Sequence, residues 1–215
     1  MAETGRTYLP AAGYHWSLAL YDPLVKLLGG DAARAMLLEQ AAVRAAHRVL
    51  DIGCGTGSLL VMIKRKYPEA EVVGLDPDPR ALARARRKGQ RSRIRFQLDQ
   101  GFADELPYPD ESFDRVLSSF MFHHLENSLK VKTLREARRV LKPGGRFHLM
   151  DFAKADSVSA GRIARWIHSS PRLNDNSEAR LVSLMREAGL SDPKRIGSRS
   201  SHAGELAYYQ ATASG

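Results

Sequence analysis

An α/β fold is expected, with a seven-stranded, mostly parallel sheet, one antiparallel strand, and helices on both faces. Three observations predict it. Short apolar runs that read as strands alternate with amphipathic stretches that read as helices. The first such strand runs directly into a glycine-rich turn, "DIGCGTGS". Near the C-terminal end, two strand-like runs follow one another with no helix between them, a connection short enough only for an antiparallel pair.

The elements follow in order. The first forty residues, including "YHWSLALYDPLVKLLGG", read as helices laid beside the core. "HRVLDI" is a buried strand, and "GSLLVMIKRKY" an amphipathic helix that ends before Pro68. "AEVVGLD" is the second strand. "DPRALARARRK" is the second helix, with Pro79 in its first turn and Gly89 after its last. "SRIRFQL" is the third strand and "FDRVLSSF" the fourth. "SLKVKTLREARRVLK" is a long helix stopped by "PGG", and "RFHLMDF" the fifth strand. "SVSAGRIARWIHSS" reads as a helix ending at Pro171, and "SEARLVSLMREAGL" as a capped amphipathic helix. "KRIGSRS" and "ELAYYQATA" form the closing strand pair. No internal repeat or low-complexity linker divides the 215 residues, so one domain is expected, with parts at 1–46, 47–153 and 154–215.

Composition narrows the class. The chain is 43% hydrophobic and 27% charged, enough for a sizeable core. No apolar stretch approaches the roughly 20 residues of a membrane span. The first residues have no charged start followed by an apolar core, so a cytoplasmic location is expected. The single cysteine, Cys54, excludes an intrachain disulfide framework and an all-cysteine metal cage, and no metal site is expected. Net charge is +9, and "RALARARRKGQRSRIR" carries no acid. That run is either a solvated helix face or a patch for phosphates, on nucleic acid or anionic lipid. No aromatic residue interrupts it before Phe96, which disfavours a single-strand nucleic-acid binder.

The glycine turn points to a nucleoside-type ligand. Gly53, Gly55 and Gly57 allow a tight turn and let a ligand approach backbone. In open sheets ligands lie at the carboxyl ends of strands, where strand order reverses. A dinucleotide fingerprint wants Gly or Ala at the sixth place, where this chain has Ser58. Asp51, just before the turn, would repel a pyrophosphate but suits a ligand bearing an amine and a sulfonium. Asp76, ending the second strand, can accept both hydroxyls of a ribose.

"VLDIGCGTG", "VVGLD", "ADELPYPDESFDRVLSS" and "EARRVLKPGGRFHLMDF" resemble, in order and spacing, the motifs of S-adenosylmethionine-dependent methyltransferases of the Rossmann-like class, with a type 11 methyltransferase domain. Within that class the chain is most similar to the subgroup of quinone-biosynthesis and phospholipid methyltransferases. The resemblance implies S-adenosyl-L-methionine as cofactor. It implies that Asp51 and the turn with Gly53, Gly55 and Gly57 wrap the methionine part, and that Asp76 holds the ribose. Phe102 and Ala103 flank the adenine, and Ser119 contacts the methionine end. Relatives often carry Asp or Asn where this chain has Phe102. Either its ring packs on the adenine or Asp104 makes the polar contact.

Methyl transfer needs a base only where the acceptor must lose a proton. The candidates are His123 and His124, on the rim of the crevice after the fourth strand. Neighbours in extended chain point opposite ways, so one of the two is expected to face the cleft. The alternative is that both cap the next helix. In quinone C-methyltransferases this place usually reads differently. Tyr14, His15, Trp16, Tyr21, Trp166 and His168 are further candidates on the acceptor side.

The expected function is methyl transfer to a small-molecule or lipid-like acceptor, with peripheral contact to an anionic membrane as a minority reading. Nucleic acid is disfavoured, because the fourth strand does not end in the Asn/Asp-Pro-Pro-aromatic motif of base methylation. An RNA methyltransferase or a non-catalytic cofactor-binding partner protein are the alternatives. Cys54 reads as a small side chain tucked under the turn rather than a reactive thiol.

Overall fold

The computed structural model describes residues 25–153, 177–201 and 204–214. Helix α1 spans Gly30–Ala41, followed by β1 (Arg48–Ile52), α2 (Ser58–Lys66), β2 (Glu71–Asp76), α3 (Pro79–Ser92) and β3 (Gln97–Gln100). Strand β4 (Phe113–Ser119), a 3₁₀ turn (Phe122–His124), α4 (Asn127–Val140) and β5 (Leu141–Phe152) follow. Helix α5 (Glu178–Glu187) leads into β6 (Leu190–Ser201) and β7 (Gly204–Ala213).

The seven strands form one sheet in the order β3-β2-β1-β4-β5-β7-β6. β1 through β5 run parallel, and β7 is antiparallel to both β5 and β6. The order reverses between β1 and β4, so a crevice opens above their carboxyl ends.

Period-2 alternation splits the strand residues between two cores. Leu50, Val73, Val116, Leu149 and Tyr209 face one side, where Leu134 and Ala137 of α4 and Leu181 and Leu184 of α5 cover them. Val49, Val72, Leu117, Met150 and Tyr208 face the other, under Leu37 of α1, Leu59, Leu60 and Ile63 of α2, and Leu82 of α3. Burial on both faces is why these strands read as near-continuous apolar runs. Polar links dock α1 as well: Arg115 Nε donates to the Ala41 carbonyl at 2.7 Å, and the Tyr208 hydroxyl to that of Ala33 at 3.2 Å.

Several boundaries differ from expectation: α4 ends at Val140, β5 starts at Leu141 and takes in the "PGG" expected to stop that helix, and β6 starts at Leu190 instead of Lys194. Helix α3 runs past Gly89 to Ser92 and is capped by Arg93 in the left-handed region (φ 55). Gly89 is there for contact, because the chain folds back over it: a Cβ would lie 3.0 Å from both the Ile94 carbonyl oxygen and the Phe96 ring. The third strand accordingly begins at Gln97 instead of Ser92, and is four residues long. The C-terminal helix starts as expected, with the Ser177 hydroxyl accepting from the Arg180 N–H.

His148 lies in the middle of β5, fully buried, and neither ring nitrogen has a hydrogen-bond partner among the described residues. Burial, with Arg115 and Arg146 adding, pushes its pKa down to about 3. The unfolded chain takes up a proton near 6.5 that the folded chain refuses until far lower. Stability is therefore complete above about 6.5 and falls with acid, by about 2 kcal/mol between pH 6.5 and 5 for this one group. The His148→Leu variant should lose less stability over that interval, as read by urea denaturation at each pH.

Candidate active site

The turn after β1 places all three glycines in the left-handed region, with φ of 73, 52 and 76 at Gly53, Gly55 and Gly57. Contacts demand glycine at two of them as well. A Cβ on Gly53 would come within 2.5 Å of Met121 Cγ, and one on Gly57 within 2.8 Å of Ala85 Cβ. At Gly55 a Cβ would meet nothing within 4 Å, so this backbone faces open space.

The end of β2 holds the turn in place. The Leu75 carbonyl accepts from the N–H groups of Gly53 (2.8 Å) and Cys54 (3.0 Å). Asp76 Oδ2 accepts from Gly55 N–H at 2.8 Å, and Oδ1 from Asp78 N–H at 2.9 Å. Burial pushes the Asp76 carboxyl up to about 6, against the pull of these two N–H groups.

Above the turn lies a cavity of about 330 Å³. Of the predicted binding residues, Gly53, Gly55, Asp76, Phe102, Ala103 and Ser119 line it. Asp104 does too, so both candidates for the adenine corner face the same space. Asp51 stands behind the lining, 1% exposed, and neither carboxylate oxygen has a hydrogen-bond partner. Burial pushes its pKa up to about 8, with Arg34 opposing and Asp76 adding.

The two histidines part company. His124 lines the cavity. His123 is turned toward the end of β5: its Nδ1 lies 2.6 Å from Asp151 Oδ1, and its N–H donates to Asp151 Oδ2 at 2.8 Å. Burial pushes the Asp151 carboxyl up, but the His123 ring and the N–H groups of His123 and Phe152 outweigh it and hold it below the ordinary range. The two imidazole rings lie 4.0 Å apart, centre to centre.

Arg34 and Asp151 escaped sequence reasoning. Arg34 sits on α1, 7% exposed, lines the cavity, and lies over the Phe120 ring at 5.4 Å. Its signal was faint, one arginine inside an otherwise apolar helix face. Asp151 closes an apolar strand as Asp51 and Asp76 do, a parallel visible in "HLMDF". Tyr14, His15, Trp16, Tyr21, Trp166 and His168 lie outside the described residues.

Strand order, the glycine turn and the acid closing β2 define a Rossmann-like α/β protein with its cavity at the topological switch point. The methyltransferase-domain family model matches residues 49–145. The chain is 36% identical over 158 residues to the demethylmenaquinone methyltransferase of Deinococcus radiodurans, covering 71% of this chain and 65% of that protein, just under two thirds of its length. It is 36% identical over 153 residues to an uncharacterized methyltransferase of Synechocystis, covering 70% of this chain and 68% of that one. The crystal structure of the YcgJ protein from Bacillus subtilis has the same fold, with a TM-score of 0.69 at 22% identity over 86% of this chain and 99% of that one. The chain belongs to the S-adenosylmethionine-dependent methyltransferase family.

Cys54 is 7% exposed and packs under the turn; a Cβ on Gly74 would lie 2.8 Å from its sulfur. Burial, with Asp76 and Asp51 adding, pushes the thiol well above its ordinary value. In native protein it should resist a thiol reagent such as dithionitrobenzoate at neutral pH, reacting fully only after denaturation.

Proposed function

We propose that this protein transfers the methyl group of S-adenosylmethionine to a small, lipophilic acceptor, with His124 taking the proton the acceptor loses. One observation carries the reading: the glycine turn, Asp76 and the His124 imidazole line one and the same cavity. The lipophilic acceptor is supported by the quinone named for the Deinococcus relative.

The residues present fit the cofactor. Asp51 is a buried carboxyl with no hydrogen-bond partner among the described residues, suited to the ammonium of the methionine moiety. Gly55 presents bare backbone toward open space. Each Asp76 oxygen accepts one N–H and keeps a further lone pair for a ribose hydroxyl. Phe102 and Ala103 flank the adenine, and Ser119 meets the methionine end. Arg34, the cation that acts on Asp51, pairs with the methionine carboxylate. When bound, S-adenosylmethionine supplies an electrophilic methyl on a positively charged sulfur.

The chain's own work is placement and proton management. Holding the reactants aligned supplies effective molarities on the order of 10⁵–10⁸ M. His124 accepts the proton released by a hydroxyl or an acidic ring carbon on methylation. His123 is a positioning residue: Asp151 pins its ring, and that ring backs His124. With Nδ1–H donated to Asp151, the pair stays in one tautomer.

Replacing Asp76 with Ala should weaken S-adenosylhomocysteine binding at least tenfold by calorimetry; unchanged affinity would remove the ribose assignment. His124→Gln should cut turnover by about 10²–10⁴-fold, abolish the acid limb of the pH–rate profile, and leave S-adenosylhomocysteine affinity within about twofold. His123→Gln should lower the rate less and keep that acid limb. A His124→Gln enzyme at full rate across pH would end the base assignment.

A further inference from the structure

We infer that the outer face of α3, with the loop after it, is a docking surface for anionic lipid that brings the cavity to a membrane holding its acceptor. Six guanidinium groups carry the inference. Arg80, Arg86, Arg87, Arg91, Arg93 and Arg95 are all exposed, and none of their guanidiniums has an acid or hydrogen-bond partner among the described residues. Helix α3 buries only small or aliphatic side chains, Ala81, Leu82, Ala85 and Gly89, so its charges are sorted onto one side. No acid occurs from Pro79 to Leu98.

An ordinary solvated face is organised differently, as α4 illustrates. There Arg135 pairs with Glu187 at 3.6 Å, and Arg139 with Glu136 and Asp110, both at 2.7 Å. Interleaved charges of that kind cancel one another's field. The six arginines have no such counter-charge among the described residues, and their guanidiniums repel one another at a cost that an anionic partner would relieve. The patch also extends to the neighbouring helix, where Arg65 Nη2 donates to Ser92 Oγ at 3.4 Å.

Lipid fits this surface better than nucleic acid. The aromatic rings in this stretch, Tyr67 and Phe96, pack against the core and offer bases no stacking platform. Phosphate headgroups in a plane need only a field of matching sign. The helix also starts on the cavity wall, since Asp78, its N-cap, and Ala81 line the cavity. Choosing lipid rests on the lipophilic acceptor proposed above; the charge arrangement stands without it.

The test is co-sedimentation of the full chain with mixed phosphatidylcholine–phosphatidylglycerol vesicles and with pure phosphatidylcholine vesicles, at low and high salt. Binding should need the anionic lipid and fade with salt. A variant with R80Q, R86Q, R87Q and R91Q should lose about 600-fold in partitioning, at about fivefold per base. A control variant with K132Q, R180Q, R186Q and K194Q removes the same charge elsewhere and should lose far less. Three results would overturn the inference: no salt-sensitive binding to anionic vesicles, equal losses in both variants, or tighter binding to a duplex or single-stranded oligonucleotide than to vesicles. S-adenosylhomocysteine affinity, measured by calorimetry without vesicles, should be unchanged in both variants. That readout separates failure of the surface from failure of the methyltransferase reading.

Discussion

The site depends on the clamp between the first glycine turn and the end of the neighbouring strand. Three consecutive N–H groups, of Gly53, Cys54 and Gly55, are taken by one carbonyl and one carboxylate, Leu75 and Asp76. With those donors spent, the turn cannot relax toward a helix or continue as a strand. Its backbone is held in the left-handed region by contacts as well as by hydrogen bonds. The same carboxylate that fixes the turn also lines the cavity, so one side chain contributes to both the shape of the site and its polarity. Placing Asp76 needs β2 in register with β1, with Ile52 opposite Leu75, and that register is set by the apolar residues on both faces.

The sheet divides the remaining tasks. One face carries α4 and α5 and holds Phe122 of the 3₁₀ turn, fully buried, so the two histidines that follow it are anchored from below. The other face carries α1, α2 and α3, and through α1 it delivers Arg34. The acids that close β1, β2 and β5 stand along one edge of the sheet. Each is buried and each has a different partner: none for Asp51, backbone for Asp76, an imidazole for Asp151. The differences in their proton affinities follow. The isolated acid is raised furthest, and the one beside a histidine is lowered.

Most of the sheet was legible because its strands are buried on both faces and read as apolar runs between helices. β3 was misjudged for a physical reason. Ile94 and Phe96 alternate with arginines as a half-buried strand would, but they serve to fold the chain back over Gly89, and pairing begins only at Gln97. The glycine that looked like a stop signal is a contact point. The glycine turn and Asp76 were legible because a short motif carries their geometry locally. Arg34 and the Asp151–His123 pair were not, because each depends on residues far apart in the chain: Arg34 reaches the cavity because apolar packing and the links from Arg115 and Tyr208 dock its helix. The expectation that the adjacent histidines point opposite ways assumed extended chain; they sit instead in a 3₁₀ turn with their rings 4.0 Å apart, and it is the hold of Asp151 on His123 that leaves His124 to line the cavity.

Asp51 has a consequence beyond chemistry. A carboxyl sealed in the interior with nothing among the described residues to bond it is a defect that the folded protein carries until something arrives from outside. A ligand that supplies the missing donor mends the fold as it binds, and whatever binds only the folded chain raises its stability, by about 2.7 kcal/mol at a hundred times its dissociation constant. The melting temperature of this protein is thereby a gauge of how much cofactor surrounds it. In a cell where that pool runs low, the chain would be easier prey for proteases, so its abundance would track the supply of its own reagent.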